Sequence, residues 1–258
     1  VQTREQLLRQ LSVAGDLHAV VGTMKGLAAV TIHQFEEALG ALDDYVATVE
    51  LGVQVVLGPV GTSLPAPVER PHLGIVAFGS DQGLCGNLNR VMADAVVGLL
   101  AQAPRGSRDW VMVCGERLAI ELGAAGVHAG QSHRAPASAP AITEVVDDLL
   151  VAIEEWSRQG VRIVLVTPRP TTSAARWEPV DHQLAPLDPA RMARLARRPW
   201  PSRRLPVAVG EPRTVLRALT RALLAVDLHR AVAETAVAVH GSRLAAMQAA
   251  ERAIEDRI

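Results

Sequence analysis

The chain has 258 residues, room for one large domain or two ordinary ones, and 49% hydrophobic against 21% charged residues excludes a disordered chain. The net charge of -1 lacks the basic surplus of a general nucleic-acid binder, and Lys25, the only lysine, precedes its glycine where a P-loop needs lysine after one. Cys85 and Cys114 cannot make a disulfide framework and point to a reducing compartment; no apolar run reaches the ~18 residues of a membrane span, and no secretory signal precedes the first charges.

From Asp16 to Leu57 apolar or small residues recur at steps of three and four, from Leu17 and Val21 through Met24, Ala28, Ile32 and Phe35 to Val49 and Val53. This is a helical seam close to a heptad. No proline interrupts it before Pro59, so the spacing predicts a rod of about 60 Å. Gly58 to Pro71 reads as a loop rich in proline and glycine. Leu73–Phe78, Trp110–Cys114 and Val161–Val166 then read as buried strands. Between them lie helical patterns from Asn87 to Leu100, from Glu116, and from a capping Thr143 to about Gln159. Alternating strands and helices predict a small, Rossmann-like α/β domain with a mainly parallel sheet.

Thr171 to Leu187 alternates poorly around Pro179 and reads as an edge strand or hairpin. Pro189 to Pro206 carries six arginines, which could grip an acidic partner or form a solvated basic face. Glu211 to Ile258 is helical again, with a seam from Leu216 to Ala253 whose last third is rich in alanine. The fold class is therefore α/β: N- and C-terminal helices forming a long antiparallel coiled coil, with an α/β domain between them. The divisions are 1–58 for the first shaft helix, 71–187 for the α/β domain, 188–210 for an Arg/Pro-rich connector and 211–258 for the second shaft helix.

Catalytic constellations are hard to find. The eight histidines are scattered without HExxH or Cys/His ligand spacing, so no metal or cofactor is expected. Ser80 lacks the GxSxG elbow. Cys85 has no evident basic neighbour to activate it. The glycines at 79, 83 and 86 miss the GxGxxG register, and Asp81 would repel a pyrophosphate. A long hairpin carrying such a domain suggests a mechanical or interaction protein. A free-standing coiled-coil adaptor is the alternative, and a small hydrolase would need a nucleophile–base pair that is not evident.

Three segments resemble the gamma subunit of F-type ATP synthases, the central rotor shaft. Ser80-Asp81-Gln82-Gly83-Leu84-Cys85-Gly86-Asn87-Leu88-Asn89 resembles the family's S-D-x-G-L-C-G-x-L-N turn. Met24-Lys25-Gly26-Leu27-Ala28-Ala29 is similar to its A-M-K-M-V-A-A, with Thr23, Gly26 and Leu27 as departures. His240-Gly241-Ser242-Arg243-Leu244-Ala245-Ala246-Met247 is similar to its E-x-x-x-R-M-x-A-M, with Leu244 for methionine. Lysines that usually flank M-K become His18, Ala19 and Gly22, and the turn's second glycine becomes Asn87. These departures suggest a divergent branch, such as the alternate, sodium-type F-type ATPases of some bacteria. The family usually continues for another helical stretch beyond the third motif, so the resemblance implies an incomplete C-terminus at Ile258. The cysteine pair of the chloroplast regulatory insert is absent, and thiol control is not expected.

The resemblance implies a non-catalytic shaft in a ring of alpha and beta subunits, standing on the membrane rotor ring of c subunits beside an epsilon subunit. ATP chemistry would lie in beta, and the chain would be peripheral on the cytoplasmic face of a bacterial inner membrane. Met24, Lys25, Ser80, Asp81, Gly83, Cys85, Gly86, Arg243 and Met247 are the expected subunit-contact and coupling residues. The Ser80–Asn89 turn should face the ring or the hairpin, and Asp81→Ala should fold nearly normally. The resemblance also sets Lys25 level with the His240–Arg243 turn, both cations facing an acidic loop of beta, and sets Ile258 near Arg9 or Gln10 so that the hairpin ends almost flush.

Overall fold

The computed structural model describes residues 4–58, 72–104, 107, 110–172, 175–204, 206, 207 and 209–255; within the first helix, the side chains of 5–11 are left out. The proline-rich stretch after Gly58, and Ile258, lie outside the described residues.

Helix α1 spans Arg4–Leu57, 54 residues, or about 80 Å. It begins well before the Asp16 at which the seam starts, because nothing between Arg4 and Asp16 breaks a helix. The chain then builds β1 (Leu73–Phe78), α2 (Leu88–Gln102), β2 (Val111–Cys114), α3 (Glu116–Ala124), β3 (Gln131–His133), α4 (Ile142–Arg158), β4 (Arg162–Pro170), β5 (Trp177–Ala185), α5 (Pro189–Ala196) and α6 (Pro212–Glu255). The sheet order is β3-β2-β1-β4-β5. The first four strands are parallel, and β5 closes one edge antiparallel to β4.

Strand β1 is buried along its whole length because both faces are covered. Ile75 and Ala77 face Leu88, Met92 and Val96 of α2 and Leu118 of α3. Val76 and Phe78 face Val146, Leu149 and Ile153 of α4 and Leu228, Ala231 and Val232 of α6. The period of two divides one strand between two cores. Helix α6 is thus both half of the hairpin and a layer on the sheet. Its fully buried alanines, Ala233 and Ala238, lie in mid-helix. The alanine-rich last third is different: Ala246 and Ala250 are half-buried and Ala253 is exposed.

Two local readings change and a third is narrowed. Helix α4 is entered through a 3₁₀ turn at Ala139–Ala141, and the residue at the cap position is Ala141, not Thr143. The three-residue β3 had no readable alternation; it exists because Met112–Cys114 offer a free edge. Thr171–Leu187 resolves into edge strand β5, with Pro179 opposite Pro168 where neither strand needs a donor.

The arginine-rich connector holds a helix, α5, capped by Asp188 through the backbone N–H groups of Ala190 and Arg191. Arg191 does not project to solvent. It lies 3.6 Å from Glu50 of α1 and 3.2 Å from Asp227 of α6, tying α5 to both shaft helices.

The hairpin register also departs from the expected one. Asp43 meets Arg230 at 2.7 Å, Phe35 stacks on His240, Lys25 meets Glu251 and His18 approaches Glu255 at 3.7 Å. Lys25 therefore lies two turns, about 12 Å, beyond the level of Arg243. Glu255 sits beside His18, so α1 runs some 20 Å past the described end of α6. Over the described residues the two helix ends are staggered rather than level.

Candidate functional site

All three sequence motifs open onto one cleft of about 380 Å³ between the Ser80–Asn89 turn and the hairpin. Met24, Leu27, Ala28 and Thr31 of α1 form one wall, and Thr235, Val239, His240 and Arg243 of α6 form another. Ser80 to Leu84 form the third, with Ala135 to Ala137 beside them.

The turn is rigid for identifiable reasons. A Cβ on Gly79 would lie 2.6 Å from Leu118 Cβ, and one on Gly115 would lie 2.7 Å from the Gly79 carbonyl carbon. The ends of β1 and β2 therefore meet backbone to backbone, and Gly115 additionally holds φ at 125°. Ser80, 1% exposed, donates its N–H to Asn89 Oδ1 at 3.0 Å and its hydroxyl to the Gln82 carbonyl at 2.8 Å. Asn89 returns a bond from Nδ2 to Ser80 Oγ at 2.8 Å. Cys85 Sγ packs 3.4 Å from both Ser80 Oγ and Asn89 Nδ2. This closed knot uses Ser80 and Cys85 internally, and at 3% exposure Cys85 presents no thiol to a partner. Asn89 belongs to the site too, although its side chain gave no sequence signal beyond its place in the motif.

Asp81 is a structural staple. Its carboxylate accepts from the backbone N–H of Glu116, opening α3, at 3.0 Å, and from that of Ala135 at 3.1 Å. A helix N-terminus and a loop are thus pinned by one charge. The expectation that Asp81→Ala would leave folding nearly intact conflicts with both bonds. Burial, and then the Asp81 charge, push the neighbouring Cys114 thiol up to about 12, so it stays protonated.

Gly86 needs its glycine, with φ of 62°, whereas Gly83 has free space around it and no positive φ. Leu84 takes φ of 64° and is 57% exposed. A bulky apolar residue held in the left-handed region and facing water is a strained display. It stands at the cleft mouth with Met24, 38% exposed, and Leu27, 67% exposed.

The α6 wall carries the charge. Burial, reinforced by Arg243, lowers the His240 imidazole to about 4. The ring is neutral at neutral pH, and its Nδ1 lies 3.3 Å from Arg243 Nη1, where it can accept. Arg243 has no acidic partner among the described residues. Lys25 is not a free cation of this cleft. Its Nζ donates to both carboxylate oxygens of Glu251, at 2.7 and 2.9 Å. Lys25 and Arg243 therefore do not present a common outward pair. Met247 is buried, 4% exposed, and is unavailable as a contact surface. Among the described residues, the cluster with metal-ligand geometry is His18, Glu251 and Glu255, outside the cleft, and Lys25 already claims Glu251.

Three comparisons place this architecture. A chain of the Tetrahymena thermophila mitochondrial ATP synthase central stalk/c-ring assembly shares the fold with a TM-score of 0.59 at 16% identity, over 90% of this chain and 99% of that one. A chain of the Euglena gracilis mitochondrial ATP synthase rotor matches with a TM-score of 0.61 at 13% identity, over 96% and 90%. A chain of the Euglena OSCP/F1/c-ring assembly matches with 0.57 at 13%, over 96% and 82%. No curated protein matches. The family model described as ATP synthase matches residues 3–258, so the chain belongs to the gamma-subunit family of F-type ATP synthases.

Proposed function

We propose that this chain is the rotating shaft of an F-type ATP synthase or ATPase and couples ion flow in the membrane sector to ATP chemistry in a surrounding catalytic ring. The observation that carries the reading is convergence: three motifs from distant parts of the sequence line one cleft on one side of the hairpin. A shaft that differs around its axis offers each catalytic subunit a different surface at each angle. Turning it then biases those subunits between conformations through differential contact. On this reading ATP chemistry belongs to the beta subunits.

Partners in the proposal are the alpha and beta subunits, the c-ring and an epsilon subunit. The rotor, central-stalk/c-ring and OSCP/F1/c-ring assemblies of the structural neighbours support the first three. No helix among the described residues is long and apolar enough to cross a membrane, which agrees with a peripheral place; we assign the cytoplasmic face of a bacterial inner membrane. His18, Ala19, Gly22 and Asn87 support a divergent branch such as the sodium-type ATPases, although the membrane ring would choose the ion.

The test is reconstitution of the chain with its ring and membrane sector. Arg243→Ala should assemble and hydrolyse ATP but pump fewer ions per ATP than wild type. Wild-type pumping per ATP in the assembled variant would remove Arg243 from the coupling role. A chain that fails to join the ring at all would overturn the shaft reading.

A further inference from the structure

At the last described turns of α6, three side chains from opposite ends of the sequence converge. His18 of α1 brings its Nε2 to 3.9 Å from Glu251 Oε1 and 3.7 Å from Glu255 Oε1. One nitrogen and two oxygens, one from each residue, all lie within 4.8 Å of one another. Glu251 and Glu255 are one helical turn apart, so α6 presents both carboxylates on the face it turns to α1. The imidazole supplies the third donor from the other helix. Histidine spacing in the sequence could not reveal this set, because it forms only at the level where α1 and α6 meet.

Both His18 separations exceed the length of a hydrogen bond, about 3 Å. They approach the spacing of neighbouring ligands around a tetrahedral metal, about 3.3 Å for bonds of 2.0–2.1 Å. Small rotations of the glutamate side chains close the rest. Lys25 does not block this. Its shorter bond, 2.7 Å, is to Glu251 Oε2, and its longer one, 2.9 Å, is to Oε1. Oε1 has a second lone pair for a metal on the His18 side, while Oε2 keeps the lysine. Lys25 then orients the carboxylate from outside the coordination sphere. Glu255 meets no lysine or arginine among the described residues. Its side chain is 60% exposed against 19% for Glu251, so an ion enters from the Glu255 side, where water completes the fourth position.

The donor set selects the metal. Magnesium and calcium take oxygen ligands, whereas an imidazole nitrogen with two carboxylate oxygens suits zinc. We propose that His18, Glu251 and Glu255 form a zinc site that clips α1 to α6. The clip acts where apolar cover has run out, since Val13, Leu17 and Val20 of the same stretch are exposed. Bound zinc fixes the level of α6 on α1 and so holds the stagger of the hairpin. The inference stands on these side chains alone, and its failure would leave the shaft reading intact.

The experiment is calorimetric titration of the chelator-stripped full chain with zinc chloride, and separately with magnesium chloride. A single zinc per chain is expected, bound about a hundredfold or more tighter than magnesium. H18A and E255Q should each weaken zinc binding at least about tenfold. E255Q changes an exposed side chain to its neutral isostere, and circular dichroism confirms that each variant is folded. The control H33A/E37Q removes an exposed histidine–glutamate pair that lies on α1 alone, 3.4 Å apart, and should stay within about twofold of wild type. Zinc should also slow hydrogen exchange of the amides around His18 and Glu251 about tenfold in wild type and leave it unchanged in H18A, a readout that scattered surface binding would not give. Absence of saturable zinc binding would overturn the proposal. So would wild-type affinity in H18A and E255Q, or an equal loss in the control, which would reduce the effect to surface histidines in general.

Discussion

At the α5 end of the hairpin, Val49 and Val53 of α1 are sealed by Leu223 of α6 and by Met192 and Leu195 of α5. At the other end Val13, Leu17 and Val20 are 51 to 54% exposed. Both stretches have helical apolar spacing on the same helix. The difference lies in how many elements arrive to cover it. Near the sheet, α1 meets α6, α5 and the α4 side of the α/β domain, and apolar burial dominates. Beyond Ala28, α6 is the covering element, and polar contacts such as Lys25–Glu251 and His18–Glu255 mark the register. A stripe identifies a helix face that can be buried; it does not say where along the helix burial happens.

The sharpest way to break this contrast is to truncate one residue in each half. Phe35, fully buried beside α6 and the α4 core, should lose about 3–5 kcal/mol on Phe35→Ala. Leu17→Ala, at an exposed position, should stay within about 0.5 kcal/mol. Urea unfolding of both variants measures the gap, and equal losses would mean that the two halves are covered alike.

The next largest effects belong to the turn. Gly115→Ala should cost about 2 kcal/mol or more, because its Cβ meets backbone that cannot yield and its φ disfavours any side chain. Asp81→Ala should cost about 1–3 kcal/mol by releasing the N–H groups of Glu116 and Ala135. Hydrogen exchange of those two amides gives a direct reading. Unchanged protection would return Asp81 to a pure contact role.

His240 supplies a pH dependence. Its folded value, about 4, lies below the ordinary 6.5, so the unfolded chain takes up the proton first. Stability should therefore fall as pH drops from about 6.5 towards 4, and His240→Gln should remove that part of the slope. Titration of the imidazole by NMR should show a midpoint near 4, moving up in Arg243→Ala. A midpoint near 6.5 would mean that the ring is solvated rather than packed against Phe35.

The smallest effect is expected where exposed charges hold the register. Hydrogen bonding to Lys25 lowers the Glu251 carboxyl. Its contribution is thus present above the ordinary carboxylate value and lost as pH falls through the lower folded one. Lys25→Ala should flatten that acid limb while barely changing stability at neutral pH. Disulfide trapping of Lys25→Cys with Glu251→Cys would test the stagger itself, since a hairpin with Lys25 beside Arg243 could not form that bond.

Much of the candidate site was legible as motif and little of it as role. Ser80, Cys85 and Arg243 stood in the sequence, yet only their surroundings separate the internal knot of Ser80, Cys85 and Asn89 from the open face of Leu84, Met24 and Arg243. Asp81 looked unexplained by turn geometry because its partners, Glu116 and Ala135, are remote in sequence. The arginine run looked uniform, but Arg191 finds Glu50 and Asp227 while Arg203 and Arg204 find no acid among the described residues.

Local periodicity by itself determined the two long helices, β1 and the helices around it. A spacing of three and four, or a short apolar run closed by glycine, needs no distant partner to be read. The tertiary structure decided the stagger of the hairpin, the mid-helix close approach of α6 at Ala233 and Ala238, and the pairing of Lys25 with Glu251. Those depend on which helix slides to which level. That level is set where α6 must pack on α1 and on the sheet at once, a constraint that no single segment of the sequence contains.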